Sequence, residues 1–376
     1  GPVYCTPPTR DLMSLLQIDY IKVSFGEGKK SPYESSHIRD VVTHCIPLKY
    51  SETTDISPDI RLTLHNAGHI LGSSIAHFHI GDGLYNVAIS GDIKFEKSWL
   101  FNAAVNKYPR LETIVMESTY GGYHDMQPSR QEAGQQLKEI ANRTLGKNGK
   151  MMVPVFAVGR SQEVMLVLEE NMRNNLIPKV PVYLDGMIWE ATAIHTAYPE
   201  YLNSQLRTQI FQSGQNPFLS EIFKRVDSPD MRERICHDPE PCIVLATSGM
   251  MNAGQIMEYF KEWADDPNNS LVFVGFQAEG TMGRKIQKGW NEIALNEKGK
   301  QININVKCNI ETVDGFSGHS DRRQLMNYVA TLDPRPERIV VCHGDEHKCL
   351  DFAGSVYKKF GIETRAPLNL ETIRLK

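Results

Sequence analysis

The sequence predicts a layered α/β protein. Three observations lead there: short apolar runs without alternation, helix-length amphipathic stretches between them, and one β-hairpin signature in the first third. Unalternated runs suit strands covered on both faces, as in a parallel sheet, whereas alternation suits strands with one wet face. Hydrophobic residues make up 41% of the 376 and charged residues 23%, an ordinary globular composition with material for a sizeable core.

Taken in chain order, residues 62–92 read as antiparallel β structure. Ile75-Ala76-His77-Phe78-His79-Ile80 and Tyr85-Asn86-Val87-Ala88-Ile89-Ser90 flank Gly81-Asp82-Gly83, a short-range hairpin signal. Buried strands are expected at Ile114-Val115-Met116, Met151-Met152-Val153, Ile243-Val244-Leu245-Ala246, Leu271-Val272-Phe273-Val274 and Ile339-Val340-Val341-Cys342. Helices are expected from Ser129, where Ser-Arg-Gln-Glu forms a capping box, from Arg160 through Met172, and from Ser320-Asp321 through Tyr328. Leu368 to Leu375 alternates apolar and polar residues and reads as an edge strand able to pair with a second copy, giving a homodimer. The chain is thus β-rich at first, parallel α/β in the middle, and returns to strand and helix at its end.

Composition also excludes function classes. Lys+Arg 41 against Asp+Glu 45 gives a net charge of −4, so any grip on nucleic acid is local rather than spread over the surface. No run of about 18 apolar residues is present to span a membrane. The start of the chain lacks the regions of a signal peptide. Seven scattered cysteines without a C-x-x-C pair signal neither a zinc knuckle nor a disulfide framework, and the expected location is the cytoplasm.

Five segments set an imidazole or carboxylate among glycines or small residues, four of them directly after a strand-like run. They are Asn66-Ala67-Gly68-His69-Ile70-Leu71-Gly72-Ser73, Ile89-Ser90-Gly91-Asp92, Val115-Met116-Glu117-Ser118-Thr119-Tyr120-Gly121-Gly122, Asp314-Gly315-Phe316-Ser317-Gly318-His319-Ser320-Asp321 and Val341-Cys342-His343-Gly344-Asp345. Strand ends converge at one sheet edge, and imidazole with carboxylate suits zinc or another first-row metal. Each segment alone reads more readily as a turn or a helix cap.

Together, in this order, they resemble the metallo-β-lactamase superfamily, and within it the β-CASP nucleases. The similarity extends to the archaeal homologues of the cleavage and polyadenylation specificity factor endonuclease. Ala67-Gly68-His69-Ile70-Leu71-Gly72 is similar to the family's third motif and Ser90-Gly91-Asp92 to its fourth. Met116-Glu117-Ser118-Thr119-Tyr120-Gly121 resembles motif A, Phe316-Ser317-Gly318-His319-Ser320-Asp321 motif B, and Val341-Cys342-His343-Gly344 motif C.

The resemblance implies an αββα metallo-β-lactamase sandwich, N-terminally incomplete (residues 1–120 and 311–376), interrupted by a β-CASP α/β domain at 121–310. It implies two zinc ions in the intact protein, with His69 on one, Asp92 bridging and His343 on the other. His319 would be the general acid, oriented by Glu117, while zinc activates water for in-line attack on phosphorus. The implied activity is endoribonuclease cleavage of single-stranded RNA in 3′-end processing or transcription termination, with 5′-to-3′ exoribonuclease action beside it and the transcription machinery as a partner.

One departure stands out. The family's HxHxDH motif, which supplies most zinc ligands, is nowhere in these 376 residues, and His37 and His44 lack its spacing. The chain is therefore expected to be a truncated piece that holds little or no zinc and is itself inactive. The alternative is a catalytically inactive β-CASP subunit that binds RNA or a protein partner. A small-molecule hydrolase of the same superfamily is a third reading, disfavoured by the Arg-bearing turns of the insert.

Candidate RNA contacts are Arg160, at a strand-to-helix turn whose N–H groups suit a phosphate, Ser248 and Gly249 after Ala246-Thr247, and Arg284 in the glycine-rich turn 276–284. His65, His77 and His79 are expected to pack or to support ligands rather than to bind metal.

Overall fold

The computed structural model of the chain describes residues 1–26, 28–297 and 300–375. It contains two compact units. The first comprises Gly1–Gln127, Tyr198–Arg207 and Gly318–Lys376; the second comprises Pro128–Ala197 and Thr208–Ser317. The crossings lie slightly downstream of the division at 121 and 310. Residues 198–207, inside the expected insert, pack with the first unit: Asn203 Nδ2 donates to the carbonyls of Ser98 and Trp99.

In the first unit a seven-stranded sheet runs in the order Glu363–Arg365, Arg338–Cys342, Thr113–Glu117, Tyr85–Ile89, Ser74–Ile80, Ile60–Asn66, Thr53–Ser57. The first four strands are mutually parallel and the rest antiparallel, so the hairpin read from Gly81-Asp82-Gly83 is present. The parallel register sets Cys342 beside Glu117 and Ile89 beside Val115, which aligns the carboxyl ends of three strands at one edge. Ile60–Asn66 runs in the same direction, being antiparallel to a strand that is itself antiparallel to Tyr85–Ile89. Its end reaches that same edge.

One sheet face is covered by the helices Arg322–Ala330 and Glu346–Phe360. Leu325, Tyr328, Phe352 and Val356 pack there with Ala88, Ile114, Met116 and Val341. The spacing of Phe352 and Val356, one helical turn apart, is what makes this face apolar. Asp321 caps the first of these helices through the Gln324 amide, in a capping box.

The second unit is built on a six-stranded, all-parallel sheet: Phe223–Arg225, Val182–Asp185, Ile243–Ala246, Met151–Pro154, Ser270–Phe273, Asn309–Thr312. Every residue of its three central strands is buried, which is why those segments read as unbroken apolar runs. Helix Arg130–Leu145 begins at Ser129, whose hydroxyl accepts from the Glu132 amide while the Glu132 carboxylate accepts from the Ser129 amide. A separate antiparallel pair, Glu292–Glu297 with Lys300–Asn305, belongs to this unit too.

One expectation is overturned. Leu368 to Leu375 forms no strand; Leu370 sits in the left-handed region at φ 67°, which ends any extended run, and Glu363–Arg365 is the edge instead. Leu368 and Leu370 stand 73% and 94% exposed. The 20-residue helix Pro7–Gly26 had no counterpart in the sequence reading, because it buries few side chains and so carries little periodicity. Among the described residues no helix is long and apolar enough to cross a membrane.

Candidate metal centre

Four loops leave the aligned edge of the first unit's sheet and bring His69, Asp92, Glu117 and His343 together; His319 joins them from the segment before helix Arg322–Ala330. Ligand-capable atoms of Asp92, Glu117, His319 and His343 lie within 4.8 Å of one another. Each Asp92 oxygen faces a different imidazole: Oδ2 is 3.6 Å from His69 Nε2, and Oδ1 is 3.1 Å from His343 Nδ1.

Local chemistry explains these positions. The loop after Asn66 is closed by Ser73, whose hydroxyl accepts from the His69 and Ile70 amides. Gly68, at φ 71°, lets this loop lie against backbone: a Cβ there would be 2.7 Å from the Lys94 carbonyl and 2.8 Å from that of Asn102. His343 follows its strand at φ 51°, held by the Ser118 amide and the Thr119 hydroxyl, both donating to its carbonyl. Gly344 is needed beside it, since a Cβ would meet the Ser118 carbonyl at 2.5 Å.

Glu117 is 1% exposed, and its carboxylate accepts from the Ile93 amide at 2.7 Å and from His319 Nδ1 at 2.9–3.0 Å. Burial pushes this carboxyl up, but the His319 hydrogen bond and charge, with Thr119 and the Ile93 amide, outweigh it and hold it below its ordinary range. An ionised carboxylate only accepts, so Nδ1 of His319 carries the hydrogen and Nε2 is left to face outward. The rings of His69 and His319 lie 4.6 Å apart, centroid to centroid.

The donor set suits zinc. Imidazole nitrogen and carboxylate oxygen are its ordinary ligands. His69 Nδ1 sits 2.9 Å from the Gly318 carbonyl, which can only accept, so the Nε2 lone pair points towards Asp92. A backbone carbonyl fixing the tautomer of a ligating imidazole is the usual support for such a ligand. His69 and His343 each face a different oxygen of Asp92, and these imidazole and carboxylate donors are of the kind zinc takes, while Glu117 and His319 are engaged with each other.

Two participants escaped the sequence reading. Lys94 is 1% exposed, and its ammonium donates to the His319 carbonyl at 3.0 Å. A lysine two residues past Asp92 in Ile93-Lys94-Phe95 was the available signal. The Thr119 hydroxyl lies 3.3 Å from His319 Nδ1 and 3.2 Å from His343 Nδ1, inside a motif already singled out.

The four candidate RNA contacts lie in the second unit. Arg160 is buried, and its Nη1 donates to Glu163 at 2.8 Å and to the Phe316 carbonyl at 2.6 Å; the guanidinium is engaged with the protein's own groups. The Ser248 hydroxyl donates to the Ala253 carbonyl, and the Gly249 carbonyl accepts from Gln277. Arg284 is 40% exposed and shares Glu279 with Lys288. His65 and His77 are buried against Tyr108, as expected of packing residues.

Three family models match the chain. A metallo-beta-lactamase superfamily domain covers residues 1–110, a Beta-Casp domain 161–286, and a Zn-dependent metallo-hydrolase RNA specificity domain 303–367. A protein called transcription termination factor FttA from Methanosarcina mazei is 62% identical over 376 residues, covering 100% of this chain and 59% of that protein. Proteins of the same name from Thermococcus kodakarensis and Methanothermobacter thermautotrophicus are 58% and 57% identical over 377 residues. Each again covers 100% of this chain, and 58% and 59% of the respective relative, so the chain spans somewhat more than half the length of the relatives it matches. With this pattern of matched domains and the imidazole–carboxylate edge that the fold assembles, the chain belongs to the β-CASP branch of the metallo-β-lactamase superfamily.

Proposed function

We propose that the chain is the catalytic region of a zinc-dependent endoribonuclease that cuts single-stranded RNA in 3′-end formation or transcription termination. The observation that carries this reading is the Glu117–His319 pair beside Asp92, with His69 and His343 on its two oxygens. The names of the archaeal relatives support the termination role.

In this mechanism Glu117 holds a hydrogen on Nδ1 of His319, which keeps the ring oriented. His319 Nε2 then gives its proton to the leaving 3′ oxygen as the phosphodiester breaks. Lys94 fixes the backbone carbonyl of the same residue. Asp92, His69 and His343 would hold zinc, which when bound would supply water activation and neutralise charge at phosphorus. Because these are the zinc donors this chain contributes, we expect weak zinc binding and slow cutting by the 376 residues alone. The exposed Leu368 and Leu370 side chains support a homodimer through the C-terminal segment.

The test is zinc content by mass spectrometry together with cleavage of an internally labelled single-stranded RNA under excess zinc. Asp92→Asn should lose metal. Glu117→Gln and His319→Ala should keep it but cut roughly 100- to 10,000-fold more slowly. Internal products indicate endonuclease action, and mononucleotides an exonuclease. RNA binding without any cutting at saturating zinc would favour the inactive-subunit reading.

A further inference from the structure

The first unit contains a cavity of about 750 Å³ that none of the metal-centre residues lines. Its size falls among small-ligand sites. Tyr123, Met126 and Met326 line it together with the cations Arg322, Arg323, Lys358 and Lys359, and no carboxylate is among its lining in the described residues. This local concentration of positive charge contrasts with a net charge of −4 for the whole chain.

Tyr123 is 70% exposed, yet its backbone is fixed, the amide donating to Asp351 at 2.7 Å. The edge-on contact of its ring with His124, 5.1 Å between centroids at 88°, leaves an aromatic surface at the cavity. The carboxylates nearby in the bonding network are already engaged: Asp351 with Arg322, Ser355 and the Tyr123 amide, and Asp321 as the cap of helix Arg322–Ala330 and, at 3.7 Å, with Arg323, whose guanidinium is 57% exposed. Lys358 and Lys359 are exposed on the last turn of helix Glu346–Phe360 and have no ion-pair partner among the described residues. That helix starts three residues after His343, so at 1.5 Å per residue its lysines stand roughly 20 Å along it from the metal-centre loop. Tyr123 likewise lies on the chain just beyond the Glu117 loop. Both walls therefore continue directly from loops of the metal centre.

An exposed aromatic face ringed by cations, apolar at its floor and free of carboxylates, is what a nucleobase with flanking phosphodiesters would use. We propose that this cavity is a subsite for a nucleotide of single-stranded RNA away from the bond that is cut: Tyr123 stacks the base, and Arg323, Lys358 and Lys359 take the neighbouring phosphates. The proposal rests on the RNA-cleaving reading above, but it concerns binding and needs no metal.

Fluorescence anisotropy with a labelled twelve-residue oligouridine tests it, across a salt series. Tyr123→Ala should weaken binding roughly five- to a hundredfold, the range of one lost stacking contact, and Tyr123→Phe should restore it. Lys358→Ala with Lys359→Ala should weaken binding and lower the log–log salt slope by about 1.4, two single-strand contacts at about 0.7 each. Crosslinking of 4-thiouridine RNA to wild-type protein, mapped by peptide mass spectrometry, should mark Tyr123 or its neighbours, a readout independent of any variant's folding. Wild-type binding that all these variants retain, with crosslinks elsewhere, overturns the subsite and leaves the nuclease reading intact. Wild-type protein that binds no RNA overturns both.

Discussion

Replacing Glu163 by alanine probes the charged cluster of the second unit. The Glu163 carboxylate, 1% exposed, accepts from Arg130 Nη1 at 2.7 Å and from Arg160 Nη1 at 2.8 Å. The same two guanidinium groups donate to the carbonyls of Ser317 and Phe316. Alanine removes the anion and leaves two cations, 11% and 10% exposed, facing each other. Removing one partner from a buried ionic cluster costs about 3–5 kcal/mol. Two charge-assisted hydrogen bonds at about 1.5–3 kcal/mol each give an overlapping range of about 3–6 kcal/mol. In a unit of this size each kcal/mol lowers Tm by roughly 2–4 °C, so the unfolding midpoint should drop by about 10 °C. Arg160→Met is milder, about 1–3 kcal/mol, because the Arg130–Glu163 pair survives as a neutral unit. Thermal unfolding followed by circular dichroism ranks the two. A midpoint for Glu163→Ala within a degree or two of wild type, or a larger drop for Arg160→Met, would refute the reasoning. The methionine variant also separates two roles for Arg160: a structural guanidinium lowers Tm and leaves RNA affinity unchanged at room temperature, whereas a phosphate contact does the reverse.

Four further outcomes are expected. Burial presses His65, His77 and His195 from 6.5 to about 4. The unfolded chain therefore binds these protons first: stability is complete above about pH 6.5 and falls as pH drops towards 4, by up to about 1.4 kcal/mol per pH unit for each histidine. A Tm that stays level from pH 7 to 4.5 would contradict this. Gly68→Ala should cost about 1–3 kcal/mol through its left-handed backbone and the clash with the Lys94 and Asn102 carbonyls, and should lower zinc uptake at His69. By contrast, Gly354→Ala, inside helix Glu346–Phe360 with nothing within 4 Å of the new Cβ, should stabilise by about 0.5–1 kcal/mol; urea midpoints of the two should move in opposite directions. Deleting residues 369–376 should halve the mass measured by light scattering, and an unchanged mass rules out the C-terminal homodimer.

Much of the fold was legible because its signals are local. An unbroken run such as Ile243-Val244-Leu245-Ala246 has few alternatives to a doubly covered strand, and Ser129 with Glu132 closes a capping box within four residues. The C-terminal segment misled because alternation in Leu368 to Leu375 specifies a face only when a neighbouring strand is present to define it. The long helix Pro7–Gly26 stayed invisible for the related reason that a helix burying so little leaves no clear stripe in its sequence.

At the metal centre the donor types are legible in the sequence: His69, Asp92, Glu117, His319 and His343 each sit beside glycine or small residues at the end of a segment, and imidazole with carboxylate suits zinc. Which of them face one another was decided only by tertiary structure, since His319 is 202 residues from the carboxylate that orients it. The same holds for the cations. Arg160 reads as a phosphate contact and Lys94 carries no signal of its own, yet the Phe316 carbonyl, 156 residues from Arg160, and the His319 carbonyl, 225 residues from Lys94, engage them in the interior. A side chain's type fixes what it can bind; whether it meets solvent, a ligand or the protein's own backbone depends on what the rest of the chain lays over it, and local sequence carries no record of that.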